Sequence, residues 1–389
     1  MEQDFSKNEK KLIRGIGFLM GIRMLGVSMI IPVFSIFASE IPGSTKELAG
    51  IAVGIFGVSQ TIFQIPMGRL SDRWGRKQTT LFGLAIYLAG TVMSGLSSNV
   101  YFLIISRFIA GAGAVSGVTM AWLTDGINIH RRNAALSLVG ISIGLSVISG
   151  FTMSSVIAGY LGIPYLFYIC AVLTAAAALY TARYLDNQDS ANLYGDVSPI
   201  TLRDLTDIFK NKDLLRLNVA GFSGNISLTG MFFIMPLLIK QEMAIQGMWK
   251  IYVPMALIGT ACMYYFGKKA DTMGTVKIAS LGFILEIIGA LVPLISTSIF
   301  ALLAAFVVFY SGHCIISPVL PAAVSRHPSE GRKGTVMSIF NSSQYIGSGL
   351  SGIASGLLLK YAPNYIFVLI IVLICAVLYT LSRFRNYAS

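Results

Sequence analysis

Apolar residues run through the chain in stretches of about 20, each long enough to cross the hydrocarbon core of a bilayer as a helix. Twelve such stretches can be read, at about 13–38, 47–70, 78–97, 100–123, 133–158, 163–183, 215–239, 248–268, 276–295, 298–322, 334–358 and 364–384. They predict an all-α integral membrane protein with twelve transmembrane helices. A transmembrane β-barrel needs shorter segments of alternating polarity, which this pattern excludes. The charged start MEQDFSKNEKKLIR looks like the front of a signal peptide. The apolar run behind it is too long and has no clear cleavage site, so it is read as span 1.

Composition agrees with the pattern: 55% of the 389 residues are hydrophobic and 12% charged, against about 25% charged in an ordinary soluble domain. The net charge of +12 raises the question of a nucleic-acid partner. Placing the Lys and Arg residues on the span map answers it. With both termini cytoplasmic, most fall in cytoplasmic segments or at their helix ends, among them Lys10, Lys11, Arg76, Lys77, Arg131, Arg132, Lys268, Lys269, Arg332 and Lys333. Lys46, Lys240, Lys250 and Lys360 fall outside, and Arg23 and Arg107 fall within spans. This bias is the positive-inside signature of a multi-pass protein of the cytoplasmic membrane, and it sets orientation. No nucleic-acid partner is expected. Cys170, Cys262, Cys314 and Cys375 all sit within spans without metal-ligand spacing, and read as small packing residues. No metal and no cofactor is expected.

The longest polar segment, 186–213, divides the spans six and six, giving an N-terminal bundle over 1–185, a cytoplasmic linker and a C-terminal bundle over 214–389. Within the linker, Leu202, Leu205, Ile208 and Phe209 recur at helical spacing, as in a short amphipathic helix on the membrane surface. Halves of equal span number invite a search for a repeat. Gly68, Asp72 and Gly75 after span 2 match Gly267, Asp271 and Gly274 after span 8, all at an offset of 199. Arg131, Arg132 and Ser137 match Arg332, Lys333 and Ser338 at an offset of 201. The chain reads as a duplication of one six-span unit.

The segment GRLSDRWGRK after span 2 resembles the loop signature of the major facilitator superfamily, with Gly68, Leu70, Asp72, Arg73, Gly75, Arg76 and Lys77 in place. SRFIAGAGA in span 4 resembles a second family signature through Arg107, Gly111 and Gly113. IRMLGVSMIIPV in span 1, GIAVGIFGVSQTIFQIPMGRLSDRWGRK, and WKIYV in span 8 are similar to the YajR-type branch, taken for drug:proton antiporters. The extra C-terminal soluble domain of that branch is not expected here. One departure concerns coupling: the Gly-Pro signature common in span 5 of proton antiporters is replaced by Ser154-Ser155.

The resemblance implies a conformational latch made of Gly68, Asp72, Arg73, Gly75, Arg76 and Asp125. In it Asp72 stabilises the N-terminus of span 11 near residues 331–335 through the helix dipole, and Arg73 pairs with Asp125. The plainer alternative for Arg76 and Lys77 is a turn with positive-inside charges. Ionisable residues inside spans are functional candidates by default. Arg23 lies about 13 Å into span 1 at 1.5 Å per residue, either lining a cavity and meeting an anionic group or pairing with a neighbouring helix. By resemblance, Arg107 is a candidate for proton transfer or half-to-half pairing, with backbone-carbonyl bonding as the structural alternative.

Glu286 is the only carboxylate well inside a span, and an unpaired buried carboxylate takes up a proton. In the family fold, however, its helix supports the bundle from outside. His313, on a cavity-type helix, titrates near working pH. Both are proton-coupling candidates. Polar stripes share helical faces: Gln60 with Gln64; Asn218, Asn225 and Thr229; Asn341, Gln344 and Ser348. Because polar groups facing lipid are costly, these stripes face protein or water. Asn225, Asn341 and Gln344, with Gln60, Arg23 and the apolar Phe56, Trp122 and Met231, form the expected substrate cavity, suited to amphiphiles.

No phosphate-binding loop, HExxH motif or serine-nucleophile elbow occurs in the sequence, so no enzyme activity is expected. The expected function is secondary active transport by alternating access, exporting small lipophilic or amphiphilic compounds by proton antiport, from a monomer in the lipid bilayer. Two alternatives stay open at this point: a lipid or glycolipid flippase with Arg23 on the headgroup, and a non-transporting receptor or platform that kept the fold.

Overall fold

The computed structural model describes residues 5–128, 131–186, 211–326 and 333–383; the side chains at 133, 271 and 333–335 are not described. The linker residues 202–209 and the segment 331–332 expected to receive Asp72 lie outside the described residues.

Secondary structure among the described residues is helical throughout. The helices are α1 (Lys7–Glu40), α2 (Lys46–Trp74), α3 (Arg76–Gly95), α4 (Val100–Ala112), α5 (Ser116–Asp125), α6 (Arg132–Tyr160) and α7 (Pro164–Tyr184). After the linker come α8 (Lys212–Glu242), α9 (Trp249–Met273), α10 (Thr275–Ile295), α11 (Ile299–Arg326), α12 (Lys333–Tyr361) and α13 (Asn364–Leu381), with a 3-10 turn at Ile245–Gly247. Counting α4 and α5 as one interrupted crossing, they correspond one to one with the twelve predicted spans. Nine of these segments, among the described residues, are long and apolar enough to cross a membrane by length and composition alone. The others, α3, α9 and α12, carry more polar side chains.

Lipid as the outer solvent explains two features that would be faults in water. Large apolar side chains stand exposed, Ile295 at 86% and Phe300 at 80%, and inside the helices hydroxyls turn back to the carbonyl four residues earlier. Thr91 donates to Tyr87 O, Ser94 to Gly90 O, Thr174 to Cys170 O, and Ser227 to Ser223 O. This satisfies their polarity without water.

The chain forms two compact units, Met1–Val33 with Ser59–Val197, and Phe34–Val58 with Ser198–Ser389. In the first, α3 packs on α4 and α7, and an apolar core gathers Leu12, Ile16, Leu19, Leu84, Val115 and Trp122. In the second, α8 packs on α11, α12 and α13, and α10 on α11 and α13.

The duplication read in the loops extends into packing inside each unit. The turns at Gly75 (φ +94°) and Gly274 (φ +93°), 199 apart, share a positive φ that strains any residue with a Cβ. A Cβ on Gly113 would lie 2.5 Å from Gly83 O in the first unit, and one on Gly312 would lie 2.4 Å from Gly282 O in the second. These two contacts are again offset by 199. Gly113, pressed on the α3 backbone, sits where the fourth crossing breaks.

Candidate functional site

The charged turn after α2 is built around Gly75. Its positive φ ends α2 at Trp74 and starts α3 at Arg76, folding the Arg76 side chain back over the last turn of α2. The guanidinium, 8% exposed, donates through Nη1 to Ser71 Oγ (2.8 Å) and Asp72 Oδ1 (2.9 Å) and through Nε to Asp125 Oδ2 (3.0 Å). Asp125 is the last residue of α5, so one cation ties three helices together. Arg76, not Arg73, is therefore the partner of Asp125. Arg73 lies on the exposed side of the last α2 turn, because the break at Gly75 puts Arg76 on the Asp125 side. Gly68 faces open space. Nearby, Glu9 pairs with Arg131 (3.0 Å) and accepts from Ser6 N and Asn128 N, closing a second charged cluster of the same unit.

Deeper in the first unit, Arg23 is 5% exposed. Its Nη1 donates to Ser116 Oγ at 2.7 Å, and its guanidinium lies 5.8 Å from the Tyr87 ring centroid. Arg107 on α4 neighbours the same Tyr87 and Cys170, and the Tyr87 hydroxyl is 3.4 Å from Cys170 Sγ. The described carboxylates of this unit bond elsewhere: Glu9 to Arg131, Asp72 and Asp125 to Arg76, Asp186 to Lys11. Gln60 is buried. Trp122, expected at the cavity, is instead fully buried in the apolar core of α1, α3 and α5, because an aromatic on an inward face meets packed side chains before it meets open space.

In the second unit the polar stripes of α8 and α12 meet. Asn225 Nδ2 donates to Gln344 Oε1 at 3.1 Å, Thr229 and Ser348 share a hydrogen bond at 2.8 Å, and Ser351 Oγ donates to Ile226 O at 2.6 Å. These stripes are interhelical bonding first, as expected in an apolar solvent. Met231 is fully buried, in packing and not at a cavity wall. Phe56 and Asn341 are half-buried, and neither lines the cavity described next.

Sequence reading weighed Glu286 and His313 separately; the structure joins them. Glu286 on α10 is fully buried, and its Oε1 lies 3.0 Å from Nδ1 of His313 on α11. Glu286 Oε2 has no hydrogen-bond partner among the described residues. His313, its side chain 14% exposed, reaches a cavity of about 170 Å3 whose wall also includes Asn225, Gln344, Ile316, Leu320 and Phe340. An offset of 199 takes Glu286 to the buried Tyr87 but His313 to Ala114, so the repeat carried no signal for the pair.

The Major Facilitator Superfamily model matches residues 16–275 and, separately, 261–388. Among curated relatives, the inner membrane transport protein YajR of Escherichia coli K12 is 28% identical over 355 residues, covering 90% of this chain and 77% of YajR. An uncharacterized transporter of Buchnera aphidicola subsp. Baizongia pistaciae is 27% identical over 97% of each chain. Among solved structures, a mutant of the nucleoside transporter NupG superposes with a TM-score of 0.79 at 13% identity, over 96% of this chain and 100% of its own. At that identity the likeness is one of fold.

Proposed function

Because the chain belongs to the Major Facilitator Superfamily, and is thus a multi-pass membrane secondary transporter, we propose that it exports small lipophilic or amphiphilic compounds across the cytoplasmic membrane in exchange for protons. Both termini would then be cytoplasmic, with 1–185 and 214–389 as the two six-span halves and the Arg76 cluster as the latch released once per cycle. The observation that carries the reading is the buried Glu286–His313 pair with one member at a cavity wall. A buried carboxyl–imidazole pair is expensive to charge in that position, and a proton gained or lost there changes its balance. That linkage is what exchange requires.

In everted vesicles energised with a proton gradient, adding a transported compound should collapse the gradient, seen as recovery of acridine orange fluorescence. Glu286→Gln should abolish the recovery and Asp72→Asn should slow it. A broad panel of lipophilic compounds giving no compound-dependent proton movement would sink the reading.

Arg23 favours a second reading. A buried guanidinium held by a hydroxyl and a ring, with no carboxylate on it among the described residues, suits an anionic headgroup and therefore a lipid flippase. Translocation of a fluorescent phospholipid in proteoliposomes, lost in Arg23→Ala, would select that reading over export.

A further inference from the structure

Resting on the antiport reading, we propose that the cavity between α8, α11 and α12 is a binding site for monocationic organic compounds carrying an N–H donor, and that this donor and a proton compete for Nε2 of His313. Each part of the proposal comes from a feature of the second unit. The cavity, about 170 Å3, matches the space that holds a single benzene-sized ring in an apolar core. Ile316, Leu320 and Phe340 supply apolar wall for such a ring.

The orientation of His313 decides which atom the ligand meets. Nδ1 is taken by Glu286 at 3.0 Å, and Glu286 is fully buried behind it. Among the described residues Nε2 has no protein partner, so the ring turns its free nitrogen away from Glu286 on a side chain that lines the cavity. The amide pair adds a second point. Asn225 Nδ2 is used by Gln344 Oε1 (3.1 Å) and Gly221 O (3.3 Å), which leaves Asn225 Oδ1 as an acceptor. A flat group with two N–H donors, such as an amidinium, offers one for Nε2 and a second for another acceptor on the same wall.

Charge fixes the ligand's valence. With Nε2 protonated, imidazolium and carboxylate sum to zero. When Nε2 loses its proton to water, the pair keeps one uncompensated negative charge, which the interior cannot hold cheaply. A monocation restores neutrality, so one ligand replaces one proton. A dication overshoots, an anion doubles the deficit, and a quaternary ammonium balances charge but leaves Nε2 without a donor. Among the described residues, the other ionisable group beside Glu286 is Cys314 on α11, which neighbours Tyr310 on α11 and Cys262 on α9, while the wall residues from α8 and α12 carry no ionisable group.

The test uses the purified full chain in detergent and benzamidinium as the probe, by titration calorimetry in buffers of different ionisation enthalpy. The expected result is about one proton released per benzamidinium bound, with affinity falling as the pH is lowered. Benzyltrimethylammonium, with the same ring and charge but no N–H, should bind at least roughly tenfold more weakly, and benzoate should not bind. Proton release should vanish in His313→Gln. Equal binding of the two cations by the unaltered chain overturns the proposal without relying on any variant, as does proton release that survives His313→Gln. Absence of benzamidinium binding while compound-driven proton movement persists in vesicles overturns this site alone. Binding with proton release but no vesicle flux overturns the antiport reading and leaves the site standing.

Discussion

Arg76→Ala lowers the stability of the purified chain by about 3 kcal/mol, whereas Arg73→Ala, three residues earlier in the same signature, changes it by less than about 0.5 kcal/mol. Arg76 is 8% exposed and makes three charge-assisted or hydroxyl bonds, to Ser71, Asp72 and Asp125. Removing it takes a charge partner at 3.0 Å from Asp125, whose side chain is 25% exposed. The figure sits at the lower end of the range for broken buried pairs because Asp72 is half-exposed and keeps much of its hydration. Arg73 is exposed, and among the described residues no carboxylate pairs with it. Paired thermal scans of the two variants in one detergent check this, and Arg76→Lys should recover only part of the loss, since an ammonium cannot reproduce the forked contact. Equal shifts for Arg73→Ala and Arg76→Ala would return the cluster to a set of positive-inside charges.

The contrast between these arginines shows how far the sequence could be read. The twelve apolar stretches were legible because hydrocarbon thickness sets one length scale, and each described α-helix overlaps one of them. The break at residues 113–115 was not, because hydropathy does not register a change of backbone direction inside an apolar run, and the equivalent close approach of Gly312 to the Gly282 backbone leaves α11 unbroken. The signature marked the right turn, but which arginine reaches Asp125 depends on the backbone direction at Gly75, and that is a matter of φ rather than of residue type. The polar stripes on α8 and α12 were visible as periodicity. Their meeting as Asn225–Gln344 and Thr229–Ser348 required the packing of one helix on another. Trp122 and Met231 misled because an inward aromatic or thioether looks the same in sequence whether it faces a core or a cavity.

Gly54→Val should change the conformation of the second unit by displacing α2 from α12. Here the two backbones touch: a Cβ at Gly54 would lie 2.2 Å from Gly349 O, one at Gly50 2.5 Å from Gly352 O, and one at Gly356 2.7 Å from Gly50 Cα. The clash falls on Cβ itself, so no rotamer relieves it, and fixed backbone on the far side cannot swing away. Flanking bonds hold the same ends together, Lys360 to Glu47 at 3.1 Å and Lys46 Nζ to Leu359 O at 3.2 Å, so the helices cannot separate locally without losing these too. A penalty of about 3 kcal/mol against the arrangement with α2 and α12 in contact shifts a two-state equilibrium roughly a hundredfold toward the arrangement without it. Ser355, 1% exposed and one residue before Gly356 on α12, is covered in the present arrangement, and a movement of α12 that uncovers it reports the change. In a background with the four native cysteines replaced, Ser355→Cys should resist a membrane-impermeant thiol reagent, and adding Gly54→Val should make it react. Gly54→Ala, which places the same Cβ at 2.2 Å, should act in the same direction, so a graded response across Gly, Ala and Val ties the exposure to this contact. Unchanged labelling across the series, with the protein still monodisperse, would mean that α2 and α12 do not part when the transporter changes state.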